Sequence, residues 1–107
     1  MAEIDMTKPQ PCTKYVIAHY GERAPLQKVY QCIKKIEQEV SECFDAWRPS
    51  NSTDGRDRKE RNARIAEELT DVVTAAITAM ETLGYDEQMR GEVQRLVNEK
   101  NKARGYF

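Results

Sequence analysis

Histidine is almost missing from this chain of 107 residues: His19 is the only one. A lone imidazole lacks the company that zinc ligation or a nucleophile–base pair requires, so it reads as a surface or partly buried ring. No Gly-rich phosphate loop and no HExxH occurs, which removes the familiar P-loop and zincin mechanisms. Cysteine is sparse, and Cys12, Cys32 and Cys43 form no CxxC pair. An odd count fits a reduced compartment better than a disulfide framework, and Cys32 and Cys43, eleven residues apart on one helix, stand roughly 16 Å from each other. They read as small core residues. Neither sign of charge prevails, with 17 Lys and Arg against 18 Asp and Glu and a formal net charge of -1, so nothing global draws the chain to nucleic acid or an anionic membrane. The start, MAEIDMTKPQPC, is acidic and proline-containing, and the apolar run nearest to it, Tyr15 to Ala18, is too short for a signal peptide or a span. A cytoplasmic protein is expected.

What the chain does have is helical periodicity. Its length allows one small domain that buries little surface alone. Residues 1–24 read as an N-terminal arm in which CTKYVIAHYG favours a short helix, capped by Thr13 and ended at Gly21, over a strand. A long helix is predicted from Pro25 to Trp47, with Leu26, Val29, Tyr30, Ile33, Ile36, Val40, Cys43, Phe44 and Trp47 forming one continuous apolar stripe. RPSNSTDGRDR, from Arg48 to about Arg58, has no apolar residue and reads as a loop. A second helix carries Ile65, Leu69, Val72, Val73, Ala76, Ile77, Met80 and Leu83 and stops at Gly84. Its segment VVTAAITAM bears no charge on any face, which predicts cover on several sides and hence a homodimer or larger assembly through this helix. A third helix begins at Asp86 as N-cap and ends near Gly105. The fold class is therefore all-α: an antiparallel bundle of three main helices, residues 25–107, completed by homo-oligomerisation.

Two pairs of acids sit within these patterns, Glu39 with Glu42 and Glu68 with Asp71. A spacing of three is about one helical turn, so both members of a pair lean toward the same neighbour. Each pair borders an apolar stripe, and the connecting loop lets the helices fold back on each other. Carboxylates at a buried edge are expensive unless paired or bound to a cation, so the four are candidate ligands of one metal site.

The order ExxE, a 25-residue spacer, then ExxD resembles the signature of the MazG-like all-α nucleoside triphosphate pyrophosphohydrolases. Glu39-Val40-Ser41-Glu42 and Glu68-Leu69-Thr70-Asp71 carry it, and KNKARGY near the C-terminus resembles the family's basic tail motif. Gln38 stands where members often have a further acid. The resemblance covers about residues 26–107 and implies a Mg²⁺-dependent enzyme, with Mn²⁺ as a substitute, that hydrolyses an NTP or dNTP to the monophosphate and pyrophosphate. It implies Glu39, Glu42, Glu68 and Asp71 as metal ligands and catalytic residues, and Lys100, Asn101 and Arg104 as substrate-binding residues for the outer phosphates. Trp47 and Tyr106 read as packing residues in preference to base-stacking ones. The reading from a different class is a non-catalytic helical module that binds a protein partner through its apolar stripe.

Overall fold

The computed structural model describes residues 4–48 and 55–107, and among these every regular element is a helix. They are α1 (Thr13–Tyr20), α2 (Pro25–Trp47), α3 (Gly55–Leu83) and α4 (Glu87–Ala103). The all-α expectation holds, and α2 has the predicted bounds. Most of the predicted loop, residues 49–54, lies outside the described residues, and α3 begins at Gly55, so residues 55–58 are helical instead of loop.

The helix ends follow from local chemistry. Pro25 opens α2 at a position where its missing N–H is no loss. At the end of α3, Gly84 adopts φ 102°, which lets its N–H reach Glu81 O and that of Tyr85 reach Met80 O. The same pair of bonds closes α4, from Gly105 (φ 75°) to Lys102 O and from Tyr106 to Asn101 O. Asp86 caps α4, its Oδ1 accepting from the Met89 N–H at 3.0 Å. Asp86→Ala is expected to lower stability by about 1 kcal/mol, read as a drop in the urea midpoint at unchanged slope. The expected cap of α1 is displaced by one residue. Cys12 is the N-cap, and its backbone N–H is taken up by the Thr78 hydroxyl of α3 at 2.9 Å. That bond and the apolar contact of Val16 with Cys32 and Ala79 seat α1 across α2 and α3.

α2 and α3 form the main pair. Cys32 meets Thr82, while Glu39 and Glu42 meet Glu68, so contacts move down α3 as they move up α2. The side of α2 that is covered runs through Cys32, Ile36, Glu39, Cys43 and Ala46, a spacing of four and three. The predicted single stripe is thus two. Leu26, Tyr30, Ile33, Val40, Phe44 and Trp47 follow the same four-and-three spacing on a different side, and all six are exposed, Phe44 by 63% and Trp47 by 62%. α3 has a matching exposed row in Leu69, Val73 and Leu83, whereas Thr78 and Ala79 are buried and the rest of its uncharged segment is half-buried apart from Val73.

Among the described residues, α4 does not pack along any of the other helices. Arg90 ties its start to α3, its guanidinium donating to the Glu81 carboxylate and to Tyr85 O at 2.8 Å. The Cα radius of gyration is 16.9 Å, against about 13 Å for a compact domain of this length. No described helix is long and apolar enough to cross a membrane.

Candidate metal centre

Three of the four predicted acids converge. One carboxylate oxygen each from Glu39, Glu42 and Glu68 lie within 4.8 Å of one another, two from α2 and one across the helix pair from α3. Glu39 lies in the covered row of α2, with 8% of its surface exposed, instead of bordering that row as the sequence suggested. Glu42 and Glu68 are half-buried. Asp71 is exposed and outside the group of three, but it lines a cavity together with Glu39.

The charges in this cluster are incompletely balanced. The Lys35 ammonium, one turn before Glu39, approaches its carboxylate at 3.2 Å, and this hydrogen bond raises the lysine pKa against the opposing effect of burial. Glu42 has its pKa raised because it shares a hydrogen bond with Glu39 and feels that residue's negative charge, with Glu68 adding to the effect. Glu68 Oε2 is buried without a hydrogen-bond partner. A buried oxygen left unsatisfied costs about 1–3 kcal/mol, more when charged, and it is the observation that fits these residues to a hard cation. Three carboxylates from two rigid helices supply the oxygen donors that magnesium, manganese or calcium prefers.

Two members of this neighbourhood carried little signal in the sequence. Lys35 is legible only as an i, i+4 partner of Glu39. Cys43 was expected in the core; it is half-buried beside the acids, and its thiol pKa is pushed up, first by burial and then by Glu68, Glu39, Asp71 and Glu42.

A cavity of about 270 Å³ opens beside the acids between α1, α2 and α3. Tyr15 and Tyr20 line it from α1, Cys32 and Lys35 from α2, Thr74 and Thr78 from α3. His19 is on the outside of α1, stacked on Tyr15 at 3.9 Å, with Nδ1 3.0 Å from Tyr15 O. The aromatics expected to pack do not do so within the chain: Trp47 and Tyr106 are exposed and neither lines the cavity. Nothing in the sequence pattern ties Tyr15 and Tyr20 of α1 to the acids; the cavity they line exists only once α1 lies across α2 and α3.

Lys100, Asn101 and Arg104 are not brought to the acids. They lie at the far end of α4, and none shares a hydrogen bond, ion pair or cavity with the carboxylates among the described residues. Compared with known proteins, the chain matches no family model, no curated protein and no solved structure.

Proposed function

We propose that the protein is a Mg²⁺-dependent nucleoside triphosphate pyrophosphohydrolase that releases the monophosphate and pyrophosphate, with manganese able to replace magnesium. The observation that carries this reading is the convergence of Glu39, Glu42 and Glu68 around a buried, unpartnered carboxylate oxygen. Those three hold the cation, and Asp71, which lines a cavity together with Glu39, completes the set once substrate is bound. The cation supplies neutralisation of the triphosphate and acidification of a water for attack near the α-phosphate. The cavity between α1, α2 and α3 receives the nucleoside, with Tyr15 and Tyr20 as its aromatic walls.

Lys100, Asn101 and Arg104 hold the outer phosphates, which requires α4 to meet the acids in an antiparallel bundle completed by another copy of the chain. The test is a panel of NTPs and dNTPs with Mg²⁺, assayed for monophosphate and pyrophosphate. Turnover that is lost in Glu39→Ala and Asp71→Ala is expected. The reading is abandoned if no nucleotide is cleaved, or if both variants cleave as well as the parent. Absence of both turnover and cation binding leaves the protein-interaction module.

A further inference from the structure

The described part of the chain has almost no core of its own. No side chain is fully buried, and the buried apolar residues are Val16, Cys32, Ala46 and Ala79, all of small or medium size. The large apolar residues are elsewhere, and their placement is orderly. On α2 the residues toward α1 and the cavity are Cys32, Lys35 and Glu39; on α3 they are Asp71, Thr74 and Thr78. At 100° per residue, the exposed rows of both helices lie roughly 130–170° further round. The helices run past each other with opposite senses of contact, and this brings both rows to one open face, the face of the α2–α3 layer turned away from α1. Tyr30, Ile33 and Phe44 form one side of it and Leu69, Val73 and Leu83 the other.

We infer that a second copy of this chain packs on that face, layer against layer, to make a four-helix core of two α2–α3 pairs. This names a surface for homo-oligomerisation on the side of the α2–α3 layer away from the acids, and it stands independently of what the acids bind and of how α4 reaches them. Three observations select a second copy as the occupant. A helical layer needs another layer to bury its apolar side, and α1, with eight residues, covers only the opposite face.

The exposed area is also that of half an assembly. A folded monomer of 12.4 kDa exposes about 6,100 Å², whereas this chain exposes 8767 Å². The excess, about 2,600 Å² per chain and shared between this face and the unpacked α4, leaves room for the roughly 1,000–2,500 Å² that each partner of an obligate homodimer covers. Finally, the α2 row repeats as a heptad seam, with Leu26, Ile33, Val40 and Trp47 at one position and Tyr30, Glu37 and Phe44 at the other. Glu37 is the one charge in it, and it is held by Lys34 at 3.4 Å.

α2 therefore carries the candidate ligands Glu39 and Glu42 on one side and the seam on the other. The test is sedimentation of the pure chain in EDTA, without nucleotide, so that its outcome does not depend on metal or substrate. Twice 12.4 kDa or a multiple of that is expected, together with a melting temperature that rises with protein concentration. Phe44→Glu should give monomer or an unfolded chain. Glu37→Leu, which removes the one charge that the assembly would bury in the seam and keeps the helix, should hold the assembly together at concentrations at least tenfold lower than the parent. A 12.4 kDa species at micromolar concentration overturns the inference, as does a Phe44→Glu variant that sediments like the parent or a Glu37→Leu variant that dissociates more readily.

Discussion

Glu68→Gln is expected to remove divalent-cation binding while leaving the metal-free protein as stable as the parent or more so. The carboxylate of Glu68 faces Glu39 and Glu42 across the helix pair and keeps one oxygen buried without a partner. Nothing in the cation-free chain repays that oxygen, so converting the charged group to a neutral amide of the same shape removes repulsion at little structural loss. The parent should respond to magnesium as any protein does to a ligand of the native state. At a concentration of 100 Kd the gain is about 2.7 kcal/mol, which for a domain near 100 residues raises the melting temperature by more than about 10 °C. Glu68→Gln should show almost none of this shift. Turnover should fall by about 10²–10³-fold, the scale of losing one preorganised electrostatic group. Calorimetric melts with and without magnesium decide it: an equal magnesium shift in parent and variant excludes Glu68 as a ligand.

The second large effect concerns pH. Glu42 titrates above the usual glutamate value of 4.5, chiefly through its hydrogen bond to Glu39 and that residue's charge. A group whose folded pKa is raised favours the fold when protonated. Its contribution is fully present below 4.5 and is lost as pH rises through the raised folded value. Metal-free parent protein should therefore lose stability over that interval, and Glu42→Gln, permanently uncharged, should not. At neutral pH without metal the variant is expected to melt higher than the parent. With magnesium the order reverses, because a bound cation favours ionised Glu42 and the variant has lost a ligand. Melting curves across pH in EDTA and in magnesium test this crossing. Parallel pH profiles for the two proteins would show that Glu39 and Glu42 do not share a proton.

Stability alone would not build this cluster. Three carboxylates drawn together at a half-buried seam, with one lysine beside them, form a poorly compensated cluster. Two helices hold it, α2 from Pro25 to Trp47 and α3, in which the hydroxyls of Thr70, Thr78 and Thr82 bond back to carbonyls four residues earlier. Lys35 occupies part of Glu39, so a cation entering the cluster meets a competitor already in place.

The sequence by itself determined the elements. Pro25, Gly84, Asp86 and Gly105 mark helix boundaries through backbone chemistry that does not depend on the rest of the molecule. The spacing of three between Glu39 and Glu42, and between Glu68 and Asp71, put each pair on one side of its helix for the same local reason. Only the tertiary structure decided which apolar residues are covered. Periodicity marks a side as apolar without naming its neighbour, and on α2 it merged two rows into one stripe. The α2–α3 pairing separated them, burying Cys32, Glu39 and Ala46 and leaving Leu26, Tyr30, Ile33, Phe44 and Trp47 in the open. It also drew Glu68 to the acids of α2 and turned Asp71 toward the cavity, because 100° per residue places neighbours three apart some 60° from each other and a partner helix meets only one of them squarely.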